Sequence, residues 1–222
     1  MYRDVDIDEI SDGKRYHAGD LVKVGCRDCE GCSNCCRDMD KSIILDPYDI
    51  YMLTCGLDTT FDALMDGDRP MIELSMADRI LLPNIKMQPD TNACGFLNGD
   101  GRCSVHPYRS GFCRMFPLGR VYEEGHFDYF LQVDECDFPD KVKVKVKKWL
   151  GIENLKSYEN FVLKWHDLLA RFRNEIEDIG VQSEVTARIV EFLKIFYKNP
   201  YDKERSFYDQ IEERFECFMR KA

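Results

Sequence analysis

The stretch CRDCEGCSNCC, residues 26–36, places five of the chain's eleven cysteines in eleven residues. Two residues separate Cys26, Cys29, Cys32 and Cys35, and Cys36 follows Cys35 directly. No regular helix or strand turns that spacing to one side. A bound group has to gather so many thiols in so short a loop, and metal is the first candidate. Ten of the cysteines fall between Cys26 and Cys136, and only Cys217 lies beyond them.

The whole chain has 222 residues, enough for one good core or for one domain with a helical appendage. Its first residues, MYRDVDIDEI, are acidic and carry neither a basic start nor an apolar signal core. No run of eighteen apolar residues occurs anywhere, so the expectation is a cytoplasmic protein that does not enter a membrane. A reducing compartment disfavours paired disulfides, so clustered cysteines there read as metal ligands or redox groups. The formal net charge of −10 repels phosphate backbones and argues against nucleic-acid and anionic-membrane partners. The one basic run, KVKVKVKKW at residues 141–149, reads as a solvated face. A protein partner or substrate suits this surface better than nucleic acid, with the helical tail as its docking place.

Working outward from the cysteines, residues 1–25 read as an irregular arm ending in a short strand, LVKV. SIILDPYDIYMLTCGL, residues 42–57, predicts a strand and then a helix, with Asp46 as N-cap, Pro47 in the first turn and Gly56 as the stop. A short helix over FDALM follows Thr59 or Thr60. MIELSMADRILLPNI, with a turn near Ala77 and Asp78, and GRVYEEGHFDYFLQV, with a turn at Glu124 and Gly125, predict hairpins.

Beyond Cys136 the period changes to 3.6. Tyr158, Phe161, Val162, Trp165, Leu168, Leu169, Phe172 and Ile176 form one apolar stripe on a long helix ending near Gly180. VTARIVEFLKIFY and SFYDQIEERFECFMR predict two further helices, the first stopped before Pro200. Trp149, Trp165, Phe172 and Phe196 read as packing residues. The expected fold class is α+β: an arm over 1–25, a β-rich cysteine-cluster domain with short helices over 26–140, and a three-helix extension over 141–222.

The cysteines admit several metal grammars. Cys26, Cys29, Cys32 and Cys36 reproduce the C-x2-C-x2-C-x3-C run of bacterial ferredoxins, although Arg37 stands where proline is expected and no second run occurs. Paired C-x2-C knuckles suit tetrahedral zinc equally well. Spacing leaves an Fe-S cluster and zinc both open. Neighbouring side chains in an extended segment point to opposite sides, so Cys35 and Cys36 can serve two metal sites or two edges of one cluster. Cys55, on a helix, and Cys217 read as structural.

Thiolates on metal concentrate negative charge. Arg37, Arg109, Arg114 and Arg120 lie close to cysteines in sequence, and Arg109 and Arg114 flank Cys113 as candidates to offset it. His106, three residues after Cys103, reads as a hydrogen-bond partner to the site more than as a ligand.

At these residues the chain resembles the YkgJ-type cysteine cluster family, described as zinc- or iron-chelating. The C-x2-C-x2-C-C signature matches Cys29, Cys32, Cys35 and Cys36. The downstream pattern matches Cys94, Phe96, Leu97, Cys103, Val105, His106, Arg109, Cys113, Arg114, Phe116 and Pro117, and the last family cysteine corresponds to Cys136. The resemblance spans about residues 26–137 and implies metal ligation by Cys29, Cys32, Cys35, Cys36, Cys94, Cys103, Cys113 and Cys136. Cys26 is an extra thiol, and Ser110 stands where the family usually has proline, a departure expected to weaken the turn and touch no ligand. The pattern also looks like that of flagellin lysine N-methylases, which implies a second reading as an S-adenosylmethionine-dependent methylase-like enzyme; an electron-transfer module is a third.

Overall fold

The computed structural model describes residues 6–27 and 32–220. Its strands form three separate antiparallel pairs rather than one sheet. The first pairs β1 (Leu21–Gly25) with β6 (Val142–Lys145), from the two sides of the cysteine-bearing segment. The second is the hairpin of β2 (Ile72–Ala77) and β3 (Ile80–Ile85), turned by Asp78 and Arg79 at positive φ. The third is the hairpin of β4 (Leu118–Glu123) and β5 (His126–Leu131), where Gly125 takes the left-handed turn position. Alternating apolar residues put one face of each hairpin inward. The α+β expectation holds.

Short helices link these pairs: α1 (Ile7–Ile10), α2 (Pro47–Leu57), α3 (Phe61–Met65), α4 (Gly111–Met115) and α5 (Val146–Leu150). Asp46 caps α2 as expected, but the helix runs through Gly56 to Leu57 and ends with Asp58 in the left-handed region. Gly56 is a contact residue instead of a stop. A side chain there would run into the Tyr108 ring, so its absence lets the segment carrying His106 and Arg109 lie on α2. Residues 42–45 form no strand; Ile44 alone makes an isolated bridge, opposite Asn84.

The long helix α6 (Leu155–Asp178), then α7 (Gln182–Leu193), a π-turn over Lys194–Lys198, and α8 (Phe207–Met219) supply the helical layer. Tyr158, Phe161, Val162, Trp165, Leu168, Phe172 and Ile176 are buried along α6, the stripe expected from the sequence, while Leu169 is only partly so. The stripe packs into the same contiguous core as Val24, Leu45, Leu53, Phe96 and Val105 of the cysteine-bearing half. Tyr197 crosses the boundary to donate its hydroxyl to the Leu45 carbonyl at 3.1 Å. None of the described helices is long and apolar enough to cross a membrane.

Candidate metal centre

Three separated stretches bring thiols to one place. Cys35 and Cys36 lie on a 3₁₀ turn, Asn34–Cys36, with Cys36 N–H donating to the Ser33 carbonyl at 2.9 Å. The chain then bridges to the second stretch: Cys94 N–H donates to the Cys36 carbonyl at 2.8 Å, and Arg37 pairs with Ala93. A tight reverse loop closed by a Leu97–Cys103 bridge folds Cys103 back toward Cys94.

The third stretch is α4. Ser110 is its N-cap, its hydroxyl accepting the backbone N–H of Cys113 at 3.4 Å. The serine expected to weaken the turn instead starts the helix that carries Cys113. Asp49 fixes the same helix from the other side, its carboxylate accepting the Gly111 N–H at 2.6 Å. Asp49 also closes a reciprocal capping box with Asp46 at the head of α2.

The result is a cavity of about 80 Å³ lined by Cys32, Cys35, Cys36, Cys94, Cys103 and Cys113. Between apolar walls that include Phe96, Phe112, Phe116 and Trp149, these sulfurs supply most of its chemistry. Among the described residues, no three His, Cys, Asp or Glu side chains stand close enough to enclose a metal ion as they are placed. The thiols line the wall of a space instead of closing on a point.

Their protonation follows from burial. Burial pushes Cys94 up to about 11 and Cys113 to about 12, and it raises Cys103 as well. Cys35 rises chiefly through its hydrogen bond with Cys36, with burial adding to it. The Arg109 guanidinium works against these shifts at Cys35 and Cys103. Arg109 lines the cavity, bonds His106 Nε2 through Nη1 at 2.8 Å, and keeps its Nε buried without a hydrogen-bond partner. An orphaned cationic donor beside thiols fits a site that becomes anionic when the thiols ionise.

The other expected site residues are placed as follows. His106 lines the cavity wall and bonds Arg109. Arg114 does not line it: Nε donates to the Arg109 carbonyl at 3.0 Å and Nη2 to the Pro107 carbonyl, so it fastens the loop that presents Arg109. Arg120 donates to Tyr158 at 3.0 Å inside the core, and Arg37 is exposed. Cys136 and Cys26 line an adjoining cavity. Cys29 lies outside the described residues. Cys55 and Cys217 line neither cavity. Trp149, read from sequence as a packing residue, lines both, its indole N–H held at 3.2 Å by the carbonyls of Met115 and Phe116. Its sequence signal was only its place after the lysine run.

Residues 28–137 match the family model CxxCxxCC, described as "Putative zinc- or iron-chelating domain". The chain carries a CxxCxxCC domain. No curated protein and no solved structure matches the chain. The CxxCxxCC domain contains the 3₁₀ turn, the Cys94–Cys103 loop and α4, and therefore every cysteine of the larger cavity. It does not contain Cys26, β1, β6 or the helical layer.

Proposed function

We propose that the chain is a metal-binding protein whose main centre is held by thiolates of Cys36, Cys94, Cys103 and Cys113, with Cys35 and Cys32 at its edge. The observation that carries this is the convergence of six cysteines from three separated stretches on one cavity beside the orphaned Arg109 donor. The chemistry of the donor set fits soft metals, since thiolates select zinc and iron–sulfur groups over oxygen-loving cations.

Cavity size supports the polynuclear choice. A lone zinc ion sits about 2.3 Å from each sulfur. That draws four sulfurs almost into contact, whereas these line about 80 Å³. A sulfide-bridged iron group fills such a space and, when bound, supplies one-electron redox capacity. The chain's own residues ionise to ligate it, exclude water with Phe96, Phe112 and Trp149, and offset its charge with Arg109. The methylase-like reading rests on resemblance alone and is set aside.

Elemental analysis and the absorption spectrum of protein purified without oxygen test this. Iron with sulfide and a broad visible absorption band are expected. A colourless zinc-loaded protein overturns the iron assignment, and a normally folded protein that takes up neither metal overturns the function.

A further inference from the structure

Beside the main cavity lies a smaller one of about 30 Å³, lined by Cys26, Cys32, Cys35 and Cys136. We propose that it is a second metal site, taking one thiophilic divalent ion through these four thiolates, with each thiol releasing its proton to solvent on binding. The proposal rests on the reading of the larger cavity as a thiolate metal centre.

The partition of sulfurs carries the argument. Cys36, Cys94, Cys103 and Cys113 line only the larger cavity, Cys26 and Cys136 only the smaller, and Cys32 and Cys35 both. Phe116 and Trp149 stand on the walls of both, and the two indole hydrogen bonds hold Trp149 to the Phe116 segment. The smaller cavity is thus lined by four thiols, and four others line the larger one alone. The smaller volume leaves room for a group no larger than a few water molecules, which suits a single ion. As placed, these four thiols line the space without closing on a point, so binding an ion draws them together.

Structure outside the CxxCxxCC domain completes this compartment, supplying Cys26 and Trp149 to a lining otherwise drawn mostly from within it. Cys26 follows β1 and is 2% exposed. The β1–β6 ladder sets Gly25 opposite Val142, and the missing side chain at Gly25 lets Val142 and Val144 approach closely. That register returns the chain beside Cys26 just after Cys136. Lys141 Nζ then donates to the Cys136 carbonyl, and Asn34 Nδ2 reaches Asp137 at 3.3 Å, tying the Cys136 loop to the 3₁₀ turn. A buried cysteine delivered by a dedicated strand pair to three others is placed as a ligand, whereas Cys55 and Cys217 are not.

The test measures metal per chain in full-length protein purified without oxygen and then supplied with zinc alone, beside C26S, C136S and C94S, with circular dichroism on each. C26S and C136S should each hold one metal equivalent less than the wild type while keeping the main centre's complement, and C94S should lose the main complement and keep one equivalent. C136S, on a loop, serves if C26S does not fold. Wild-type metal content in C26S and C136S overturns the second site and leaves the main centre standing. Loss of all metal in every variant shows one joint site and overturns the partition. Metal that depends on Cys26 and Cys136 but not on Cys94 keeps this site and overturns the main centre.

Discussion

Asp49 and Gly111, far apart in the chain, are joined by a buried 2.6 Å hydrogen bond from the glycine N–H to the carboxylate. The bond fastens the first turn of α4, two residues before Cys113, to the capping box of α2. Asp49→Ala would strand both that donor and the Asp46 N–H it also accepts. Leaving a buried donor unsatisfied costs about 1–3 kcal/mol, so a loss of roughly 2–5 kcal/mol in denaturant unfolding is expected, with a lower metal content at Cys113. Asp49→Asn keeps an acceptor oxygen and should lose less. Equal effects of the two variants would show that the carboxylate acts by charge rather than as an acceptor.

Asp46 and Asp49 also give the protein an unusual pH response. Burial pushes both carboxyls above the ordinary value of 3.8, Asp46 to about 6 and Asp49 well above the usual range, while Arg120 opposes the shift in each. A folded-state value raised above the unfolded one means that the folded chain binds more protons between about 4 and 6. This pair's contribution to stability therefore falls as pH rises through that window, opposite in sign to an ordinary salt-bridged carboxylate. Asp46→Asn keeps the acceptor for the Asp49 N–H and removes one of two like charges. It should flatten the decline between pH 4 and pH 7 and raise stability at neutral pH, read as the midpoint of urea unfolding against the wild type. An unchanged slope would remove the pair as its cause.

Metal content should separate the cysteines into classes. Serine at Cys36, Cys94, Cys103 or Cys113 should abolish the main complement and lower the melting temperature, because metal affinity at such sites is folding free energy. Serine at Cys55 or Cys217 should change neither. Because burial holds Cys94, Cys103 and Cys113 protonated in the absence of metal, uptake must expel their protons, and apparent affinity should rise with pH between about 6 and 8. A pH-independent affinity would mean that these thiols are not the ligands.

What the sequence discloses here is what local physics decides. The Asp46–Pro47 start of α2, both hairpins and the α6 stripe rest on capping, turn chemistry and periodicity, and each is legible from neighbouring residues. The cysteines are legible as a set, because their spacing has no other use. Which cavity each sulfur lines is not, since that is a tertiary fact. Likewise Gly56 reads as a helix stop until the Tyr108 ring is seen against it, and Ser110 as a lost proline until its hydroxyl is seen to cap α4. Arg114 flanks a cysteine in sequence yet spends its donors on backbone carbonyls.

The last expectation concerns the helical layer. The sequence marks residues 141–222 as an extension, but Tyr158, Phe161, Trp165, Phe192, Phe196 and Tyr197 are buried in the core that also holds Leu45, Leu53 and Phe96. Burying each such side chain contributes about 1.5–3 kcal/mol, so losing several exceeds a typical domain stability of about 5–15 kcal/mol. Ending the chain at Lys148 would also remove Trp149 from both cavity walls and strip Arg120 of its Tyr158 partner, leaving a charge in a gutted core. Such a chain should show no cooperative unfolding transition and should retain no metal above the level of a denatured control. A shortened chain that melts sharply and keeps its metal would show that the cysteine half folds alone and that the helical layer only rests upon it.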